Sequence, residues 1–247
     1  MATTIHPVPA GNAPQQKDPR EKLIVALDVS SAAAAQKIVA AVGDSGHTFK
    51  VGMQLYTAVG PEIVRDLVSS GRSVFLDLKY HDIPNTVAKA VTEAARLGVR
   101  MLTVHASGGG KMLRAAVDAA KARAGMMVLA VTVLTSLDEH DIEKIGMQGT
   151  LQDSVCRLAA IALANGCQGV VSSAREASIL RSKLGDGFAI VTPGVRLAGG
   201  SVDDQARIVT PAEAVAAGAS HIVVGRPITA AADPAAAARA ILSQISG

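Results

Sequence analysis

Two opposite charges stand two residues apart in the segment 77–86, which reads DLKYHDIPNT and extends an apolar run. Because side chains in a strand alternate between two faces, Asp77 and Lys79 are expected to share one face. Lys50 and Asp28 each end an earlier apolar run, so neighbouring parallel strands would bring all four charges to one level. Burying four charges is costly without a ligand that uses them. The pattern therefore indicates a row of charges that acts on a bound molecule, with a structural ion pair as the alternative.

Asp82 stands immediately before Ile83 and Pro84. A carboxylate followed by proline is typical of the start of a helix, so Asp82 is interpreted as a helix N-cap with Pro84 in the first turn. The same carboxylate could also reach a neighbouring site. The two roles are compatible, and the sequence leaves both open.

Two turns near the C-terminus indicate a phosphate site. Pro193 and Arg196 follow one apolar run, and Gly225 and Arg226 follow the next. Glycine lets the backbone approach an anion closely, and the arginine guanidinium offers forked donors to phosphate oxygens. The glycine-containing segment 197–205 between the turns suits a loop that closes over a ligand, although an ordinary surface loop is the alternative.

Three other polar segments have local interpretations. Thr135 and Ser136 follow an apolar run, where they would donate hydrogen bonds to a ligand or cap the next helix. His105 ends another run and is interpreted as a hydrogen-bonded structural group. The segment 107–111, SGGGK, lacks the spacing and the following Ser or Thr of an ATP-binding phosphate loop, so ATP binding is not predicted.

Short aliphatic runs alternate with longer Ala-rich segments of helical period, which is typical of βα units on a parallel sheet. Eight repeats without a linker favour a closed barrel over an open doubly wound sheet, whose glycine-rich first turn is missing here. We therefore predict an α/β fold, a (β/α)8 TIM barrel forming a single domain over residues 21–247. Catalytic groups of such barrels lie at the C-terminal ends of the strands. The predicted strands are Leu23–Val29, Thr48–Gly52, Val74–Lys79, Met101–Val104, Met126–Thr132, Gly169–Ser172, Phe188–Thr192 and His221–Val224.

Composition narrows the classes of partner and location. The net charge is +3, basic residues are scattered, and aromatic residues make up 2% of the chain, so nucleic-acid binding is not expected. Cys156 and Cys167 match no metal or redox spacing and are expected to be buried free thiols. Residues 1–20 contain four prolines and no apolar signal-peptide core, which predicts a disordered tail. No uncharged run reaches the about 18 residues of a membrane span, so a cytoplasmic location is predicted.

The chemistry-bearing segments together resemble those of orotidine 5′-monophosphate decarboxylases of the bacterial type. The resemblance extends from about Leu23 to the C-terminus, and its most specific part is the segment 77–86. It implies decarboxylation of orotidine 5′-monophosphate to uridine 5′-monophosphate, the last step of pyrimidine synthesis, by a homodimer that uses no metal or organic cofactor. The segments that carry it are Leu27-Asp28, Phe49-Lys50-Val51-Gly52, residues 77–86, Thr135-Ser136, Thr192-Pro193-Gly194-Val195-Arg196 and Val224-Gly225-Arg226.

The same resemblance implies a role for each charged residue. Lys79 would protonate C6 of the pyrimidine as carbon dioxide leaves, and Asp77 would crowd the carboxylate of the substrate. Lys50 and Asp28 would hold the ribose hydroxyls and orient the row. Asp82 would reach into the active site of the partner subunit.

Substrate-binding roles are implied in the same way. Thr135 and Ser136 would meet the pyrimidine amide, and Thr86 would reach the partner's site beside Asp82. Four residues would grip the phosphate, namely Arg196, Gln205, Gly225 and Arg226. Ile83 and Pro193 complete the implied substrate-binding set.

Two other functions are compatible with these residues. A related barrel could decarboxylate or aldol-cleave a sugar phosphate with magnesium, using a similar Asp-x-Lys strand. A non-catalytic nucleotide-binding protein could keep the barrel and the phosphate site without the chemistry, although the complete charged row argues against it.

Overall fold

The centre of the computed structural model, which describes residues 19–196 and 209–246, is a closed barrel of eight parallel strands. The strands follow one another around the barrel in chain order, and the eighth pairs with the first. The predicted (β/α)8 barrel is therefore confirmed. The strands are β1 (Leu23–Ala26), β2 (Thr48–Gly52), β3 (Ser73–Tyr80), β4 (Met101–His105), β5 (Met127–Val131), β6 (Gly169–Val171), β7 (Ala189–Thr192) and β8 (His221–Val224).

Amphipathic helices follow the strands and pack their apolar faces against the barrel. Many begin at a polar residue whose side chain accepts a hydrogen bond from the first helical turn, as Thr150 and Thr210 do. These caps define where each loop ends. The helices are α1 (Pro19–Lys22), α2 (Ala32–Val42), α3 (Met53–Val59), α4 (Glu62–Ser69), α5 (Pro84–Arg96), α6 (Gly109–Ala120), α7 (Glu139–Lys144), α8 (Leu151–Ala164), α9 (Ala174–Leu184), α10 (Pro211–Ala216), α11 (Arg226–Thr229) and α12 (Pro234–Ile245).

Two apolar clusters stabilise this arrangement because strand side chains alternate between the barrel interior and its outer surface. The larger cluster lies between strands and helices. The smaller one fills the barrel interior, so a ligand has to bind at one end of the barrel and not along its axis. The interior cluster consists of Ile24, Ala26, Phe75, Met101, Met127, Leu129, Val191 and Val223.

The strand bounds differ from the prediction at two places that affect the site. β1 ends at Ala26, before the predicted end at Val29, so Asp28 lies in the loop beyond the strand. β3 continues to Tyr80, and its pairing with β4 shifts between Leu76 and Tyr80. Sequence periodicity does not indicate such a shift, since the apolar residues on either side of it keep their pattern.

The structure also bears on the expectations for the cysteines, the N-terminal tail and membrane-spanning segments. Cys156 and Cys167 are buried free thiols, as expected, and burial raises the pKa of Cys167 to about 12. Residues 1–18 of the expected tail lie outside the described residues, whereas Pro19 and Arg20 begin α1. Within the ranges 19–196 and 209–246, no helix is long and apolar enough to cross a membrane.

Candidate active site

An open cavity of about 600 Å³ lies at the C-terminal end of the barrel, where the strands run out into their loops. Its volume falls in the range of small-molecule sites. The interior residues Ala26, Phe75 and Val223 form part of its apolar lining. The cavity brings together nine of the predicted site residues: Asp28, Lys50, Asp77, Lys79, Thr135, Pro193, Arg196, Gly225 and Arg226.

Acidic and basic side chains alternate along one wall of this cavity. The Lys79 ammonium Nζ lies 3.0 Å from both carboxylate oxygens of Asp77. The Lys50 Nζ lies 2.7 Å from Asp28 Oδ1 and 3.9 Å from Asp77 Oδ2. Each cation thus contacts a carboxylate, and the row runs Asp28, Lys50, Asp77, Lys79. This is the charged row that the sequence predicts.

Burial within the charged row is uneven, which corrects the expectation of four buried charges. The side chains of Lys50, Asp77 and Lys79 are 12%, 15% and 24% exposed, whereas Asp28 is 60% exposed. The reason is that β1 ends two residues before Asp28, which leaves its carboxylate on the rim of the cavity. Three charges therefore meet a ligand from the wall, and the fourth lies at the entrance.

Asp77 and Lys79 meet through a backbone geometry that simple strand alternation does not predict. Lys79 has a φ of 52°, in the left-handed region that non-glycine residues rarely adopt. Its N–H donates to the Thr103 Oγ1 at 2.9 Å, in the stretch where the pairing of β3 with β4 shifts. The Thr103 hydroxyl in turn donates to Asp77 Oδ1 at 3.0 Å. The sequence does not indicate Thr103 as a site residue, because threonine is common in β-strands for reasons of propensity alone.

Another part of the cavity lining, after β7 and β8, carries the predicted phosphate-binding groups. Arg196 and Arg226 lie there together with Gly225. A Cβ on Gly225 would make only ordinary contacts, at 3.7 Å from Ala26 and Asp28, so packing does not require glycine there. Close approach of a ligand to the backbone is a reason that fits. The Arg196 N–H donates to the Val209 carbonyl at 3.0 Å, which places Val209 beside a residue of the cavity lining.

Several predicted site residues do not line this cavity. Ser136 is exposed outside it, although Thr135 lines it. Ile83, 66% exposed, and Thr86 lie in the first turn region of α5, away from the lining of their own chain's cavity. Gln205 and the rest of the segment 197–205 lie outside the described residues.

Asp82 does not act as the N-cap of α5, so that interpretation is wrong. The N-cap is Ile83, which has extended dihedrals and whose carbonyl accepts from the N–H groups of Thr86 and Val87. The residue before a proline is biased toward extended conformations, so Pro84 at the first helical position makes Ile83 the cap. The exposed Asp82 carboxylate instead accepts the Ile83 N–H at 2.6 Å.

His105 lies beside the charged row, at the end of β4. Its ring packs against His81 with 5.3 Å between ring centroids. Burial lowers the pKa of His105, and His81 and Lys79 add to this effect while Asp77 opposes it. The imidazole is therefore neutral at neutral pH. In the part of the chain that the structure describes, no group of three or more His, Cys, Asp or Glu is placed to hold a metal ion.

Comparison with known proteins identifies close relatives over nearly the whole chain. The family model described as Orotidine 5′-phosphate decarboxylase / HUMPS family matches residues 21–241. A protein of Halorhodospira halophila named orotidine 5′-phosphate decarboxylase is 53% identical over 91% of this chain and 96% of its own length. A protein of the same name from Heliobacterium modesticaldum is 50% identical over 92% and 96%, respectively.

A solved structure agrees with these sequence matches. The crystal structure of an orotidine 5′-phosphate decarboxylase from Lactobacillus acidophilus superposes with a TM-score of 0.83 at 39% sequence identity. The match covers 91% of this chain and 99% of that one. The two chains therefore share the barrel fold over most of their length.

Proposed function

This chain belongs to the orotidine 5′-phosphate decarboxylase / HUMPS family, and we propose that it decarboxylates orotidine 5′-monophosphate to uridine 5′-monophosphate. The reaction is the last step of de novo pyrimidine biosynthesis. The observation that carries the proposal is that the charged row and two arginines line the same cavity. The names of the relatives that are about 50% identical support the same substrate.

Lys79 is the residue best placed to complete the chemistry. When the bond from C6 to the carboxylate carbon breaks, its electron pair stays on C6 and carbon dioxide leaves. That pair lies in the plane of the ring, where the π system cannot delocalise it, so the protein has to stabilise the charge. The Lys79 ammonium, held at 3.0 Å from Asp77, supplies a fixed positive charge and then the proton that C6 takes up.

Repulsion of the substrate by Asp77 contributes less than this stabilisation. Two like charges 4 Å apart at an effective dielectric of 20 repel by about 4 kcal/mol, whereas enzymes lower barriers by up to about 23 kcal/mol. Ground-state repulsion therefore supplies a minor part of the acceleration. The larger part comes from groups whose attraction grows as the carbanion forms.

The arginines have a separate function in this scheme, which is to anchor the 5′-phosphate. Arg196 and Arg226 provide forked donors, and Gly225 leaves the backbone open to the anion. Thr135, which lines the same cavity, would then meet the pyrimidine. A nucleotide that is bound at its phosphate and at its pyrimidine is held with C6 next to Lys79. Binding at the phosphate then contributes to the rate, because it keeps the reacting atom in position.

Asp82, Ile83 and Thr86 fit a homodimer with shared active sites. All three are exposed, none lines the cavity of its own chain, and Ile83 is one of the most exposed large apolar side chains of the described residues. We infer that they complete the cavity of the partner subunit. Mixing inactive Asp82→Ala and Lys79→Ala chains then restores one intact site per heterodimer, about a quarter of wild-type activity after random exchange. Absence of recovery after demonstrated subunit exchange would contradict shared sites.

An absorbance assay on orotidine 5′-monophosphate, run with and without a chelator, tests the proposed function. We expect turnover that EDTA leaves unchanged, in keeping with the predicted absence of a metal cofactor. Chelator-sensitive turnover of a sugar phosphate without activity on orotidylate would instead identify a magnesium-dependent relative of the same barrel group. Tight binding of uridine 5′-monophosphate with no turnover of either substrate would identify a binding protein. A cytoplasmic location stays a prediction.

A further inference from the structure

One buried hydroxyl connects the two central residues of the charged row. Thr103 is 1% exposed, and its side chain lies on the interior face of β4, two residues beyond Met101 of the interior cluster. Its Oγ1 accepts the backbone N–H of Lys79 at 2.9 Å and donates to Asp77 Oδ1 at 3.0 Å. A single side chain therefore contacts the backbone of the lysine and the carboxylate of its partner.

The Lys79 backbone needs such a contact. In the described part of the chain, Lys79 is the one non-glycine residue with a positive φ, a conformation that persists only where its surroundings impose it. The regular pairing of β3 with β4 stops after Leu76 and Leu102 and resumes at Tyr80 and Val104. The Lys79 N–H lies inside this irregular stretch, and the Thr103 hydroxyl accepts it in place of a carbonyl of β4.

The direction of the two hydrogen bonds also orients Asp77. Because an N–H can only donate, the Thr103 oxygen accepts from Lys79 and keeps its own proton for Asp77 Oδ1. The same carboxylate oxygen receives the Lys79 Nζ at 3.0 Å. The hydrogen bond from Thr103 thus restricts rotation of the Asp77 carboxylate, and this carboxylate contacts the ammonium of Lys79.

We propose that Thr103 is a positioning residue for the reaction, which holds the Lys79 backbone in its left-handed conformation and orients the Asp77 carboxylate. This proposal rests on the proposed function, since it assigns Thr103 a part in placing the proton donor. Thr103 itself touches no reacting atom. Its removal therefore changes the rate of the chemical step far more than it changes substrate binding.

The test compares substitutions that separate the hydroxyl from the methyl group. Thr103→Val keeps the shape and removes the hydroxyl, and Thr103→Ser keeps the hydroxyl and removes the methyl group. We expect Thr103→Val to lower kcat by about 10- to 100-fold, since a displacement of about 1 Å costs up to about 100-fold. KM and the Kd of uridine 5′-monophosphate should change far less, and Thr103→Ser should recover most of kcat. Thr48→Val, at a buried threonine near the opposite end of the barrel, is the matched control and should keep wild-type kcat.

Three results would overturn the proposal: wild-type kcat in Thr103→Val, equal loss in Thr103→Ser, or a loss that appears in KM and Kd alone. Should Thr103→Val fail to fold, the pair Thr103→Ser and Thr103→Ala provides a second comparison that differs only in the hydroxyl. Wild-type protein without activity on orotidylate would refute the proposed function and not the positioning role. The crystal structure of Thr103→Val then decides: Lys79 and Asp77 displaced by more than about 0.5 Å support the role, and unmoved side chains contradict it.

Discussion

The two ends of this barrel treat ionisable side chains in opposite ways. At the C-terminal end, Lys50, Asp77 and Lys79 point into a cavity of about 600 Å³ and contact one another as ion pairs. At the N-terminal end, His221 lines a cavity of only about 60 Å³ and is 4% exposed. Burial, with a smaller contribution from Arg100, lowers the pKa of His221 to about 4.

The difference shows how one strand architecture can serve both chemistry and stability. At the C-terminal end, here called the open end, the attraction between opposite charges offsets the cost of desolvating them. The ammonium of Lys79 still lines the cavity, where it can contact a ligand. At the N-terminal end, here called the closed end, the interior side chains Met101 and Met127 lie beside His221. Burial keeps the imidazole of His221 neutral. Substitutions at the open end should therefore change activity at constant stability, and those at the closed end should do the reverse.

The largest effect is expected for Lys79→Ala at the open end. Loss of the proton donor and of the fixed positive charge should lower kcat by about four orders of magnitude or more. The measurement is single-turnover decarboxylation of orotidine 5′-monophosphate. Circular dichroism and the affinity for uridine 5′-monophosphate should stay close to wild type, because neither depends on the proton that Lys79 transfers.

Near-normal turnover in Lys79→Ala would contradict the assigned role and the comparison of the two ends with it. A second readout concerns covalent chemistry. The proposed step needs no bond between lysine and substrate, so borohydride should trap no adduct on the wild-type protein. A substrate-lysine adduct detected by mass spectrometry would require a different mechanism.

The next largest effect is expected at the closed end, for Met127→Ala. Met127 is 8% exposed in the barrel interior, and removal of a buried methionine side chain costs between about 2 and 5 kcal/mol of unfolding free energy. Urea denaturation measures the loss. Met53→Ala, at a methionine that is 55% exposed, is the matched control and should change stability by less than about 0.5 kcal/mol. If Met127→Ala lost much of its kcat under conditions where all of the protein is folded, the closed end would also affect activity. That result would contradict the proposed difference between the two ends.

His221 should make stability depend on pH at the closed end. Its folded pKa of about 4 lies below the unfolded value of 6.5, so its contribution is complete above pH 6.5. As the pH falls from 6.5 to 4, the unfolded chain takes up the proton first, and the unfolding free energy decreases by up to about 3 kcal/mol.

The matched comparison uses His221→Gln and His140→Gln, the second at an exposed histidine of α7. Unfolding free energies of wild type and both variants are measured between pH 7 and pH 4. The advantage of wild type over His221→Gln should shrink toward pH 4, and by more than any change in its difference from His140→Gln. An advantage over His221→Gln that is independent of pH would show that His221 is not held neutral in the folded state.

The two ends also differ in how much of them the sequence predicts. The barrel and the charged row follow from the alternation of apolar runs and from charges at strand ends. The positive φ of Lys79 and the role of Thr103 do not, because a shift in strand pairing leaves no trace in the pattern of residue types. The carboxylate of Asp82 makes it a candidate N-cap in the sequence, but the steric effect of Pro84 makes Ile83 the cap.

The smallest effect is expected for Arg226→Ala, which tests whether the arginines of the cavity act through the phosphate. Hydrogen bonds to a charged group contribute about 1.5 to 3 kcal/mol, so kcat/KM for orotidine 5′-monophosphate should fall by about 10- to 100-fold. Arg226→Lys keeps the charge without the forked donors and should lie between Arg226→Ala and wild type. Orotidine, which lacks the phosphate, should be turned over equally slowly by wild type and Arg226→Ala, because the substrate then offers the arginine no phosphate. An equal loss of kcat/KM on both substrates would mean that Arg226 stabilises the local structure of the cavity and does not act through the phosphate. The C-terminal end would then have a structural role as well, like the N-terminal end.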